Sequence, residues 1–326
     1  MHRTIFRLIC LALTALLWPA QAADRPAKPK TITLIVPFTQ GGPTDEIAQT
    51  LAQGLAASLK QKVVTRNVPG AGGTLGAEQV AKARPDGQTL LLSNIGQATS
   101  GVLYRNLRYD PVKSFEPIGL VAEVPMTLIG SSRIAATDLK ELRGAVAAAK
   151  PRLTYAHAGA GSASYLCGLM LVDALKADPA AVSYPGTAEA MADLTAGRVD
   201  LLCDQTSNTL APIRAGMVRV LGVTTKARVA ALPDVPTLAE AGLPNFQLVV
   251  WHGLYAPKGT PGADIARLSR ALRDALQSPD VKQKLAERGA VPSATHAATP
   301  EALRKRLEGD IARLAPLLKR AGAPTK

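Results

Sequence analysis

The sequence predicts an α/β protein of two lobes, with parallel-rich mixed sheets covered by helices and two extended crossover strands between them. Three observations carry this. Apolar, β-branched runs alternate with stretches of 3.6-residue apolar period, the pattern of parallel strands with helical crossovers. Two long apolar segments, Leu120 to Ser132 and Gln247 to Ala256, have no helical period and interrupt that alternation. Finally, 326 residues with 47% hydrophobic and 19% charged side chains supply a core for each of two domains and exclude a disordered chain.

In chain order, the first residues read as a secretory signal. Arg3 and Arg7 form its positive region, Leu8 to Trp18 its apolar stretch, and Ala20-Gln21-Ala22 a small-x-small cleavage site, so residues 1–22 are expected to be removed after Ala22. Cys10 lies inside the apolar stretch after Ile9, which argues against a lipid anchor. Thr31 to Val36 is a buried-strand run, and Thr44 to Lys60 places Ile47, Leu51, Leu55 and Leu59 on one helical stripe. A strand at Lys62–Asn67, a helix at Thr74–Ala83 and a strand at Thr89–Ser93 follow. Beyond Thr137 come helices at Asp138–Ala149, Ser164–Lys176 and Glu189–Thr195, and strands at Leu153–Ala156, Ala181–Tyr184, Val199–Cys203 and Val218–Val223. Helices at Ala263–Leu276 and Pro300–Arg320 close the chain.

If both aperiodic segments cross between lobes, the first lobe is discontinuous, 31–124 with 248–326, and the second is 125–247. Two lobes on extended hinge strands are the architecture of a cleft-closing binding protein. The net charge of +13 invites a nucleic-acid reading, but Lys and Arg are scattered singly, aromatics are only 4%, and no nucleic-acid-binding motif occurs. His2, His157, His252 and His296 are dispersed, and no metal-ligand spacing or cofactor loop is found, so neither metal nor cofactor is expected.

In parallel sheets ligands bind beyond the carboxyl ends of the strands, where helix N-termini present free N–H groups. Three such ends stand out. The first is Phe38-Thr39-Gln40-Gly41-Gly42-Pro43-Thr44-Asp45, where glycines permit close approach; as an ordinary turn, Asp45 would cap its own helix. The second runs from His157 through Gly159, Gly161, Ser162 and Ala163 to Ser164, whose serines either cap the next helix or meet a ligand. At the third, Asp204 opens a polar run through Asn208 and offers an acceptor to a hydroxyl, amine or water, or else belongs to a helix cap. Tyr184 and Gly186, after another strand, join the candidate set. Pro69 to Gly76 fails the dinucleotide spacing because Leu75 stands where the third glycine is needed. Gly72 and Gly73 suit a second cleft wall, or a plain tight turn, better.

These strings together resemble the tripartite tricarboxylate transporter receptors, the Bug-type periplasmic binding proteins. The resemblance rests on Ile35-Val36-Pro37-Phe38 with Gly41-Gly42 and Thr44-Asp45, on Pro69 to Gly76, on Pro85-Asp86-Gly87, on Tyr109-Asp110-Pro111, and above all on Leu232 to Thr237 with Glu240 to Pro244. It implies a type II, two-lobed binding protein of the periplasm that captures a small carboxylate-bearing molecule and delivers it to membrane transporter subunits. It also implies a ligand held by the loops at Phe38 to Asp45 and Gly159 to Ser164, partly through waters, with Asp204 at the cleft. Thr39-Gln40 and Tyr165 depart from the family pattern, where a proline-containing pair and a histidine are usual, and bear on ligand choice. A monomer is expected, and no nucleic acid. The competing reading is a secreted serine hydrolase using Ser162 or Ser164 with His157 or His252, although the Gly-x-Ser-x-Gly elbow is missing. After processing only Cys167 and Cys203 remain; in an oxidising compartment they are expected as a disulfide, a pair of buried thiols being the alternative.

Overall fold

The computed structural model describes residues 31–148 and 152–320. The signal region, 1–22, lies outside them.

The chain opens with β1 (Ile32–Val36), α1 (Pro43–Leu59), β2 (Val63–Asn67), α2 (Thr74–Ala81), β3 (Thr89–Asn94), α3 (Gly96–Leu103) and β4 (Phe115–Gly130). Then come α4 (Leu139–Ala148), β5 (Thr154–His157), α5 (Ala163–Leu175), β6 (Ala180–Ser183), α6 (Thr187–Thr195), β7 (Leu201–Gln205), α7 (Thr206–Arg214) and β8 (Arg219–Val223). It ends with β9 (Val249–Pro257), α8 (Gly262–Gln277), α9 (Pro279–Glu287), β10 (Val291–Pro292) and α10 (Pro300–Arg320). Most expected elements appear within a residue or two of their predicted limits. The exceptions are β4, which begins five residues early, and α3, α7 and α9, for which no helix was expected.

The strand order is β2-β1-β3-β9-β4-β7-β5-β6, with β8 and β10 also on β4. β1, β2 and β3 are mutually parallel, as are β5, β6 and β7, while β9 and β4 run antiparallel to their neighbours. The mixed, parallel-rich sheet is therefore as predicted. β4 is the element common to both halves: Phe115 to Pro125 pair with β9, and Met126 to Gly130 pair with β7. Its side chains are buried on both faces apart from the partly exposed Glu116 and Glu123, which is why it reads as a continuous apolar run. Of the two segments predicted to cross, only this one runs deep into both halves. β9 pairs solely with β3 and the first part of β4, and the return occurs at its leading edge, where Leu248 N–H donates to Thr224 O. The Thr224 hydroxyl donates to Leu248 O at 2.5 Å and accepts from Met126 N–H at 3.2 Å, clasping both connections at one point.

Alternation on β1 sorts the core. Ile32, Leu34 and Val36 pack on α1 and α8 side chains such as Leu51 and Leu272, while Ile35 faces the opposite layer. In the second half, Leu201 and Cys203 face α5, and Leu202 faces α6. Among the described residues no helix is long and apolar enough to cross a membrane.

Candidate functional site

Each parallel strand hands its chain to a helix at one edge of the sheet, and five of these ends converge. A small cavity is lined by Phe38, Gly42, Pro43 and Thr44 from the β1–α1 turn, Asn94 at the end of β3, Ala158 and Ser162 to Ser164 before and within α5, Thr187 of α6, and Asp204 and Gln205 of β7. Helix starts leave their first N–H groups without intrahelical acceptors. α1, α6 and α7 begin at Gly42, Gly186 and Gln205 with no side-chain cap, whereas α5 is capped by Ser162, which accepts from Tyr165 N–H. No lysine or arginine lines the cavity among the described residues. Uncapped helix-start amides and the helix dipoles behind them are a setting suited to an anion.

Several candidates shape the loops rather than the cavity surface. Asp45 is buried, and its carboxylate accepts from Gly41 N–H at 2.9 Å, Gln49 Nε2 at 2.8 Å and Asn67 Nδ2 at 2.9 Å. It buckles its own turn and is not among the lining residues. His157 Nδ1 accepts from Gly159 N–H at 3.0 Å, and its ring sits edge-on to Tyr165. The Tyr184 hydroxyl donates to Asp193, away from the cavity, and Gln40 and Gly41 are exposed. Ser162 Oγ donates to Gly159 O at 2.8 Å and lies 3.1 Å from Ser164 Oγ, which accepts from Ala158 N–H. These are the bonds of a closed turn and a helix cap. His252 Nε2 faces Thr44 Oγ1 at 3.3 Å rather than a serine.

Asp204 does reach the cavity. It is 1% exposed, and Asn208 Nδ2 donates to its Oδ2 at 2.6 Å. Burial pushes its pKa up to about 6, against the opposing pull of Asn208, the Gln205 backbone and Thr187. Next to it, Cys203 is joined to Cys167 of α5, with S–S 1.96 Å and Cα–Cα 6.2 Å. That bond ties the strand end carrying Asp204 to the helix that begins at Ala163.

The two halves touch across the cavity rim. Thr99 Oγ1 donates to Gly161 O and the Tyr104 hydroxyl to Ala160 O, both at 2.7 Å, and Thr39 Oγ1 donates to Glu189 Oε2 at 2.9 Å. Glycine is required where backbones meet. A Cβ on Gly72, itself at φ +63°, would stand 1.8 Å from Ala160 O; at Gly186 the close neighbour is instead a side chain, Thr39 Oγ1 at 1.9 Å. Gly42, expected to be needed for close approach, has room: an added Cβ meets only Thr39 O, at 3.4 Å. Gly72 and Gly73 also line a small adjoining space that shares Phe38 and Asn94 with the main cavity. Gly159, at φ +87°, abuts Gly72. Asn94, Thr187 and Gln205 were outside the expected set; their only sequence signal is a polar residue at a strand end or just after a glycine cap.

The family described as tripartite tricarboxylate transporter family receptor matches residues 47–322. Among solved structures, periplasmic binding protein BugD superposes with a TM-score of 0.88 at 43% identity, covering 91% of this chain and 99% of that one. MatC (Rpa3494) from Rhodopseudomonas palustris with bound malate has a TM-score of 0.86 at 38% identity, covering 89% and 99%. Rpa4515 of R. palustris with adipate has a TM-score of 0.84 at 32% identity, covering 92% and 99%. The fold is that of a periplasmic binding protein, and these neighbours bind substrates rather than transform them. With the family matched over nearly all of the described residues, the chain belongs to the tripartite tricarboxylate transporter receptors.

Proposed function

We propose that this receptor captures a small carboxylate-bearing molecule in the cavity between two lobes and delivers it to the subunits of a tripartite tricarboxylate-type membrane transporter. The observation that carries the ligand class is the meeting of uncapped helix N-termini, from α1 on one side and α6 and α7 on the other, around a cavity without a lining cation among the described residues. The malate and adipate held by similar solved proteins are both dicarboxylic acids. The ligand-contacting groups in this reading are Gly42, Thr44, Ser162 to Ser164, Thr187, Asp204 and Gln205. Gly72 and Gly159 serve closure.

In this reading the lobes are 31–124 with 248–326 and 125–247; the change of partners on β4 between Pro125 and Met126, one residue beyond the first limit, and the bond from Leu248 N–H to Thr224 O support it. Rotation about the Thr224 clasp opens the cavity, and ligand binding on both sides favours the closed state. The mature protein starts at Ala23 in the periplasm and acts as a monomer; intact mass and size-exclusion light scattering of periplasmic protein check both. Titration calorimetry against mono- and dicarboxylates, with sugars and amines as controls, tests the ligand class. A carboxylate is expected to bind; binding confined to uncharged or cationic compounds overturns the reading.

A further inference from the structure

Thr44 lines the cavity from the first turn of α1, and two buried side chains flank its hydroxyl from behind. The orientation of Asn94 is set by the backbone. Gly96 N–H donates to Asn94 Oδ1 at 2.9 Å, so the amide nitrogen is the atom that faces Thr44, and Nδ2 donates to Thr44 Oγ1 at 3.1 Å. On the other flank, His252 Nε2 stands 3.3 Å from the same oxygen. The ring is 0% exposed, and Nδ1 is buried without a hydrogen-bond partner.

A neutral imidazole carries one proton, so two arrangements compete. With the proton on Nδ1, Nε2 accepts from Thr44 and an N–H donor is left orphaned in the core. With the proton on Nε2, the ring donates to Thr44 and only a lone pair is left unpaired. Orphaned buried N–H groups are rarer than under-used acceptors, so the second arrangement is preferred. The imidazolium does not compete, since burial drives the pKa of His252 down to about 3.

We infer that Asn94 and His252 act as positioning residues that fill both lone pairs of the Thr44 hydroxyl, leaving its hydrogen as a donor directed at the ligand. The hydroxyl then accepts nothing from the ligand. An anionic oxygen, such as a carboxylate, satisfies it, whereas an ammonium group meets no free lone pair there. This assignment rests on the carboxylate reading for the ligand but not for the tautomer.

The test has two arms. Long-range ¹H–¹⁵N spectra of the ¹⁵N-histidine-labelled protein, with His252 assigned by its loss in His252→Asn, read the tautomer without any ligand. A protonated Nε2 with a bare Nδ1 is expected; the reverse overturns the assignment. Calorimetry with malate and adipate then compares Thr44→Ser, which keeps the donor, with isosteric Thr44→Val, folding being checked by circular dichroism. Thr44→Ser is expected to stay within about threefold of the parent, and Thr44→Val to bind roughly tenfold to a hundredfold more weakly, the scale of a lost hydrogen bond to a charged group. Parent-like binding by Thr44→Val overturns the donor role. A parent protein that binds no carboxylate overturns the ligand class instead, and the spectra still decide the tautomer.

Discussion

A carboxylate sealed from water, as Asp204 is, favours its protonated form, and folding therefore becomes coupled to pH through this group. Its folded pKa of about 6 lies above the ordinary 3.8, so the native state holds the proton more tightly than the unfolded chain. The stability from this source is full below pH 4 and is lost as the pH rises through 6. Asp204→Asn removes that loss. In urea unfolding the variant should gain on the parent between pH 4 and 6 and stay ahead by roughly 1–3 kcal/mol at pH 7; a difference independent of pH would refute the assignment. Asp45 shows the limit of sequence at this scale. Like Asp204 it is an acid beside a strand end, yet three donors from Gly41, Gln49 and Asn67 consume it. Only the second of those is at a spacing the sequence makes visible, one helical turn away. Glycines divide in the same way. Gly72→Val puts a side chain into the Ala160 carbonyl, and a backbone atom cannot swing aside. Ligand binding in that variant should fall by about tenfold or more, and Tm should fall as well, because a β-branched residue at φ +63° is strained whether or not the two halves meet. Unchanged calorimetric affinity would mean that closure does not use this contact.

At the scale of elements, α5 and β7 are bonded covalently through Cys167 and Cys203, closing a loop of sequence separation 36. Loop-closure entropy makes that link worth about 2–4 kcal/mol. Cys167→Ala/Cys203→Ala should lower unfolding stability by that order and loosen the relation between Ser162 and Asp204, weakening ligand binding as well. The same urea midpoint in the parent and the double variant would count against it. Strand–helix alternation was readable because apolar periods of two and 3.6 are local properties. α3 and α7 were not readable. α3 carries Gly96, Thr99, Ser100 and Gly101, all poor helix formers, and is held by packing against α10. α7 contains Pro212, which interrupts the period expected of a helix.

Over the whole molecule, the last described helix returns to the half of the sheet begun by the first strand. α10 packs on α3 and β4, and its Asp310 accepts from the Trp251 indole N–H at 2.7 Å while pairing with Arg306 and Arg313. Removing that carboxylate takes the acceptor from a buried indole N–H and from the Arg313 guanidinium, while Arg306 keeps Glu123. Asp310→Ala should therefore cost about 1–3 kcal/mol in chemical unfolding. Asp310→Asn, which keeps an acceptor for the indole, should recover part of the loss. If both variants unfold at the parent's denaturant concentration, the return of α10 is held by its apolar stripe alone.

What the sequence determined by itself is whatever short-range patterning encodes: the order of strands and helices, the polar strand ends, the two aperiodic apolar segments and, through co-linear motifs, the family. The tertiary structure decided which polar groups share a cavity. Asn94 meets Thr44 because β3 lies beside β1, whereas Thr187 and Gln205 join them because β4 links both halves of one sheet. It also decided that Asp45 and His157 serve their own loops and that Gly72, rather than Gly42, is where the backbone admits no side chain. The physical reason is range: periodicity and capping act within one or two turns, whereas hydrogen-bond saturation and steric exclusion depend on atoms brought together from distant parts of the chain.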